Sequence, residues 1–219
     1  MKKTIRLIIF LVFIFLILFL LLKFIKIQKI ICTSQYGNCD TTLETSINNL
    51  QNKNENFIQT YFDLKNILKN SKSILDYRID LVLLFDFKVN VISRTAIVAF
   101  SLKDGNYGLI DRNGVLISEV RDTNLPKIIS YYNPTSDQLD FIANLVSRIY
   151  TLYTPTQTKV MSDGIYFENL KGKTVIFPMD GDQDELIGSL NIIFSRLPSI
   201  KEASTISQID LRYKNPVLR

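Results

Sequence analysis

The chain has 219 residues, 47% of them hydrophobic, with 26 Lys and Arg against 21 Asp and Glu. Six of the basic residues and none of the acidic ones lie within residues 1–29, so the remainder is nearly neutral and offers no overall electrostatic case for nucleic-acid binding. Histidine is absent and only two cysteines are present, which excludes His-based triads, His–zinc sites and four-thiolate metal sites.

A run of sixteen apolar residues, 7–22, dominates the N-terminal region. Extended to Ile27, it reaches the roughly 20 helical residues that a bilayer core of about 30 Å requires. A cleaved signal peptide is the competing interpretation, but no small-x-small cleavage pattern follows the run. The sequence predicts a cytoplasmic tail at residues 1–6 and a single membrane anchor, in contact with lipid, at residues 7–27.

The orientation of this anchor follows from two features beside it. Basic residues flank it equally on both sides, so the positive-inside rule does not decide. The N-terminal tail is too short to hold a domain, and Cys32 and Cys39 follow the anchor at a spacing that a disulfide can close. Both features favour a type II protein with its bulk outside the cytoplasm, where disulfides persist. Two free buried thiols are the alternative to the disulfide.

The segment after the anchor begins with a strand and two helices. Residues 25–33 predict a short strand that leaves the membrane. Thr41 and Glu44 form a capping box ahead of an apolar helical stripe. Thr60 precedes a second stripe at the same spacing, which predicts a second helix.

Period-two patterns follow the helices. Alternate residues are apolar from Tyr77 to Val91, which suits one or two half-buried antiparallel strands, with a turn near residues 84–86. The segment therefore has the order β-α-α-β-β. Further strands are expected at residues 96–102 and 107–111. The pair Asn113-Gly114 predicts a type I′ hairpin turn, in which both central residues need positive φ.

Helices and strands then alternate to residue 213. Ser136 is predicted to cap a helix that ends before Pro155, and Asp182 with Glu185 to cap another that Pro198 stops. Strands are predicted at residues 159–161, 165–168, 174–177 and 206–213, with a hairpin turn at Lys171-Gly172. In the last strand Ile209, Leu211 and Tyr213 lie on one face, opposite Gln208, Asp210 and Arg212.

Two stretches have distinctive residue identities: YGLIDRNGVLISEVRDTNLPKI at residues 107–128 and QIDLRYKNPVLR at residues 208–219. They closely resemble the FtsQ/DivIB family of bacterial cell-division proteins. The order of a short tail, one anchor, a POTRA domain (β-α-α-β-β) and a mixed β domain is also similar. The resemblance implies an α+β fold, with a POTRA domain at residues 28–94 and a mixed α/β domain with an antiparallel-rich sheet at residues 95–219.

Proteins of this family bind partners and do not catalyse. The resemblance implies a bitopic divisome scaffold in the plasma membrane at the septum, which binds FtsB/DivIC-like and FtsL-like proteins and helps control septal peptidoglycan synthesis. It implies no cofactor, nucleic acid or small-molecule substrate. In the family the partner pairs with the terminal strand near a short motif, which here consists of Asp210, Leu211, Arg212, Tyr213 and Lys214.

The residues themselves allow two arrangements of this strand. An edge strand accepts another chain by β-augmentation, with Arg212 offering a two-pronged guanidinium to a partner carboxylate and Tyr213 an amphipathic anchor. The alternative is an internal strand, with Arg212 solvated and Tyr213 in the core.

Two rival functions are weighed against a divisome scaffold. One is an enzyme such as a membrane-tethered cell-wall hydrolase. The acidic stretch DGDQDE at residues 180–185 resembles a calcium loop, but Glu185 stands where such a loop needs Gly, so a helix cap is the favoured interpretation. The other rival is a single-anchor POTRA-like protein of envelope assembly or secretion.

Overall fold

A computed structural model describes residues 26–82, 86–102, 104–199 and 204–219, together with Phe10, Val12 and Phe13. The chain divides between Arg94 and Thr95 into two compact units, called unit 1 and unit 2 below. Each unit combines helices with a sheet, which confirms the predicted α+β class.

The anchor predicted at residues 7–27 lies almost entirely outside the described residues, as does the turn predicted near residues 84–86. None of the helices that the structure does describe is long and apolar enough to span a membrane. The anchor therefore stays a prediction from the sequence.

Unit 1 packs two helices against a four-stranded sheet within its described residues. Its elements are β1 (Lys29–Ser34), β2 (Gly37–Asn38), α1 (Thr41–Asn52), α2 (Phe57–Asn70), β3 (Ile74–Val82) and β4 (Asp86–Ser93). The strand order is β2-β1-β4-β3, with β1 parallel to β4 and β3 antiparallel to it. Alternate residues of β4, Phe87, Val89 and Val91, are buried in one cluster with the apolar stripes of both helices. The period-two pattern of the sequence thus marks the inner face of this sheet.

Strand β1 begins four residues later than predicted, at Lys29, and ends at Ser34. The chain then reverses into β2 through Gly37, whose φ of +111° favours glycine. A disulfide joins Cys32 of β1 to Cys39, which follows β2, with their Cα atoms 5.7 Å apart. The disulfide therefore links β1 to the segment that leads into α1.

In both helices of unit 1 the N-cap residue precedes the predicted one. The predicted Thr41–Glu44 capping box is wrong, because Asp40 is the N-cap and its side chain makes no cap hydrogen bond. The carboxylate of Asp40 accepts instead from the hydroxyl of Thr42, at 2.7 Å. Helix α2 begins ahead of Thr60, because the side chain of Asn56 accepts a backbone N–H of the first turn at 2.9 Å.

Unit 2 is built on a nine-stranded sheet within the described residues. Its elements are β5 (Ala96–Ser101), β6 (Tyr107–Asp111), β7 (Leu116–Val120), β8 (Lys127–Ser130), α3 (Ser136–Tyr153), β9 (Gln157–Met161), β10 (Gly164–Leu170), β11 (Lys173–Phe177), α4 (Gln183–Arg196), β12 (Gln208–Asp210) and β13 (Val217–Leu218). The strand order is β13-β12-β11-β10-β9-β8-β5-β6-β7, and most neighbouring pairs are antiparallel. Both helices share one core cluster with the sheet, which includes Phe167 and Phe177.

The two predicted hairpin turns of unit 2 differ in conformation. Lys171 and Gly172 both have positive φ, 50° and 78°, as a two-residue type I′ turn requires. The type I′ turn predicted at Asn113-Gly114 is wrong, since of these two only Gly114 has positive φ. The carboxylate of Asp111 accepts backbone N–H groups of this loop and shapes it. A Cβ at Gly114 would lie 2.7 Å from a backbone nitrogen of α3, so glycine also permits the loop to pack on that helix.

The helices of unit 2 begin with side-chain caps. Thr135, and not the predicted Ser136, caps α3 in a reciprocal capping box with Gln138. The cap predicted at Asp182 is confirmed, because its side chain accepts the backbone N–H groups of Asp184 and Glu185 at the start of α4. This cap fixes the N-terminal end of α4.

We predict that replacing both Cys32 and Cys39 by Ser lowers the free energy of unfolding of unit 1 by about 2–3 kcal/mol, because closing this short loop restricts the unfolded chain. Hydrogen exchange of the β4 amides in the full-length chain measures the effect. Reductant added to the wild-type chain should reproduce it, with unit 2 amides unchanged. Equal protection of the β4 amides in both chains would contradict the prediction.

Candidate partner-binding site

The last predicted strand is shorter in the structure than in the sequence pattern. The prediction of a strand at residues 206–213 is wrong, since β12 ends at Asp210 and residues 211–216 form a loop. The chain then returns as β13, which pairs antiparallel with β12, while β11 pairs with the other side of β12 in parallel. Strand β12 is therefore internal, and the edge that the sequence offers to a partner is occupied by Val217 and Leu218.

Asp210 and Arg212 explain why the strand ends there. The carboxylate of Asp210 is fully buried and accepts two parallel hydrogen bonds from Arg212, from Nε at 2.9 Å and from Nη2 at 2.7 Å. It also accepts the backbone N–H of Arg212 at 3.1 Å, and this local bond turns the chain away from the strand direction. A buried carboxylate is stable only with such partners. The hydrogen bonds from Arg212 hold the pKa of Asp210 below its ordinary range.

A second carboxylate contacts the other side of the guanidinium. Asp163, in the turn between β9 and β10, accepts a hydrogen bond from Nη1 of Arg212. It also accepts a hydrogen bond from the hydroxyl of Tyr166 at 2.8 Å. The hydrogen bonds from Tyr166 and Arg212 lower the pKa of Asp163. The guanidinium that the sequence offers to a partner is thus paired inside unit 2.

Gly164 provides the space through which the side chain of Arg212 reaches these carboxylates. A Cβ at this position would lie 2.7 Å from the carbonyl oxygen of Phe177 and 3.2 Å from Cδ of Arg212. The first distance is too short for any side chain. A glycine at the start of β10 is therefore part of the structure around Arg212.

The five predicted site residues divide into buried and exposed members. Asp210 and Leu211 are buried, and Arg212 is partly buried between its two carboxylates. Tyr213 is 53% exposed, and Lys214 is exposed beside it. The guanidinium carbon of Arg212 lies 6.0 Å from the centre of the Tyr213 ring, at the outer limit of a cation–π contact. Of the five, Tyr213 and Lys214 are the exposed ones.

A groove of about 340 Å³ lies beside these residues. One wall is the loop of Arg212, Tyr213 and Lys214, and the other is formed by residues from Pro178 to Ser189 at the start of α4. The resemblance does not include this second wall. In the sequence, the feature of this wall that stands out is the acidic stretch at residues 180–185, which resembles a calcium loop.

The structure gives two carboxylates of that acidic stretch ordinary roles. Asp182 is the N-cap of α4, and Asp184 pairs with Arg148 of α3 at 2.5 Å. Across the described part of the chain, no three acidic, cysteine or histidine residues are grouped as metal ligands. The stretch is therefore a capped helix start that also forms one wall of the groove.

Comparison with known proteins returned no matching family model and no matching curated protein. The candidate site depends on the geometry above and on the resemblance of residues 208–219.

We predict that Arg212→Gln lowers the free energy of unfolding of unit 2 by about 3 kcal/mol at pH 7, because it leaves Asp210 buried without its cation. In the wild type the pKa of Asp210 is lower in the folded than in the unfolded chain. The charged carboxylate therefore adds to the free energy of unfolding at neutral pH, and this contribution is lost as the pH falls through the lowered pKa. Burial without Arg212 raises the pKa of Asp210, so the deficit of the variant should shrink as the pH falls towards about 4.

Urea unfolding of the full-length chain at pH 7 and pH 4 measures this difference. Arg148→Gln is the matched control, because its ion pair with Asp184 is exposed and should contribute less than about 1 kcal/mol. The prediction would be contradicted if Arg212→Gln lost no more free energy of unfolding than Arg148→Gln, or if its loss were larger at pH 4 than at pH 7.

Proposed function

We propose that this chain is a non-enzymatic divisome scaffold of the FtsQ/DivIB type. The observation that carries the proposal is the arrangement of the family motif: Asp210 and Arg212 pair beneath the loop, and Tyr213 and Lys214 are exposed at the groove. A surface aromatic on a loop fixed by a buried ion pair is pre-organised, so the loop loses little further conformational entropy when a partner binds. Such a surface suits a protein whose task is binding.

The architecture of unit 1 supports the same proposal. Its order of a strand, two helices and two strands, apart from the small β2, is the order that the resemblance implies for a POTRA domain. We assign unit 1 as this domain and unit 2 as the mixed β domain that binds FtsB/DivIC-like and FtsL-like proteins. The anchor at residues 7–27 and a position at the division septum complete the proposal, and both depend on the sequence.

The structure changes the proposed mode of binding. Addition of a partner strand directly to β12 requires that Val217 and Leu218 leave its edge. The groove requires no such rearrangement, since it is already formed beside Tyr213. We therefore assign the partner contact to the groove and its rim, with Tyr213 as the aromatic anchor. Arg212 is a positioning residue that acts through the loop.

We predict that Tyr213→Ala weakens binding of the extracytoplasmic segment of the same organism's FtsB/DivIC-like protein by about 30-fold, the usual effect of truncating a central interface aromatic. Lys214→Glu should weaken it less, because a rim charge contributes mainly to the association rate. Co-purification and titration with the full-length chain in detergent measure both effects.

Tyr131→Ala is the matched control, because Tyr131 lies in the same unit and is 68% exposed. It should bind like the wild type. The proposed function would be contradicted if the wild-type chain did not bind the partner segment. It would also be contradicted if Tyr213→Ala and Tyr131→Ala bound the segment equally.

A further inference from the structure

The two walls of the groove beside Tyr213 differ in charge. Asp180, Asp182 and Glu185 line the wall at the start of α4, and Lys214 lies on the loop opposite them. Arg212 also lines the groove, but its charge is balanced by Asp210 and Asp163. The groove therefore carries an excess of negative charge.

Among the residues that the structure describes, two of these carboxylates find no partner. Asp182 accepts the N-terminal amides of α4. Within the described part of the chain, the carboxylates of Asp180 and Glu185 make no hydrogen bond or ion pair, and the same holds for the ammonium group of Lys214. Both carboxylates are exposed and therefore hydrated in the free protein. Free carboxylates along one side of a concave surface attract a cation.

Apolar groups of Leu186 and Leu211 also line the groove, and Tyr213 stands at its rim. The surface therefore combines apolar contact area with two free carboxylates. A metal ion alone would leave the apolar part unused, whereas a peptide segment with a cationic and an apolar side chain fits both parts.

We propose that the groove binds a segment of the partner protein in which Lys or Arg stands beside an apolar residue, with the cation placed against Asp180 and Glu185. This inference rests on the proposed function and adds the chemistry of the partner. Because the carboxylates are exposed, they act mainly on the association rate and on partner selection, while Tyr213 supplies the larger share of the affinity.

The first test is the double variant Asp180→Lys/Glu185→Lys in the full-length chain. We expect binding of the partner segment to weaken by about 10-fold or more at low salt, and the loss to diminish as salt screens the charges. The control is Asp137→Lys/Glu119→Lys, which changes the net charge equally. Asp137 lies in the first turn of α3, as Glu185 does in α4, and both control residues are exposed. The control should bind like the wild type.

The second test needs no partner protein. Amide chemical shifts of Gly181 and Tyr213 in the full-length chain are followed during titration with the acetylated peptide Lys-Leu-Lys-Leu and with Glu-Leu-Glu-Leu. We expect the lysine peptide alone to shift both amides, and the double variant to lose this response.

The outcomes separate the two proposals. If Tyr213→Ala no longer binds the partner segment but the double variant still binds it, the proposed scaffold function is supported and the proposed cationic segment is wrong. If the wild-type chain binds no partner segment, the proposed function fails, and the peptide titration alone decides the groove chemistry. Equal responses to both peptides, or a response to neither, would overturn the inference.

Discussion

The buried carboxylate of Asp210 is the constraint on which the candidate site depends. A carboxylate without exposure to water requires a cation and hydrogen bonds, and Arg212 supplies both from two residues along the chain. The same bonds end β12 and direct the loop outward. Asp163, on another turn, contacts the remaining side of the guanidinium, and Gly164 leaves the space for the side chain.

Because of this constraint, some residues of the motif hold the loop in place while others are exposed on its surface. Asp210, Leu211 and Arg212 have their main contacts inside unit 2, whereas Tyr213 and Lys214 face outward. If the proposed function holds, mutation of Arg212 reduces partner binding through loss of the loop conformation, even though its guanidinium is already paired. In the proposed mode of binding, Tyr213 is joined by residues that the motif does not contain, Asp180 and Glu185 at the start of α4, which line the same groove.

The sequence predicted much of the fold and only part of the site. Period-two and helical patterns located most strands and helices, because they reflect which face is buried. The hairpin turn at Lys171-Gly172 was predicted correctly. The hairpin at Asn113-Gly114 also forms, but its type I′ conformation was predicted wrongly, because the carboxylate of Asp111 selects a different loop. The alternation of Ile209, Leu211 and Tyr213 failed at Tyr213, since the Asp210–Arg212 pair ends the strand. The second wall of the groove comes from residues between Pro178 and Ser189, distant in the chain from the motif at residues 210–214, and no local pattern joins the two.

The coupling energy between Asp210 and Arg212 tests this account most directly. It is obtained from a double-mutant cycle of Asp210→Asn, Arg212→Gln and the pair together, with unfolding of unit 2 measured in the full-length chain. The account predicts a favourable coupling of about 2 kcal/mol or more, as expected for one hydrogen-bonded buried pair. A coupling within the roughly 0.5 kcal/mol of simple additivity would contradict it, because the loop would then owe its conformation to other contacts.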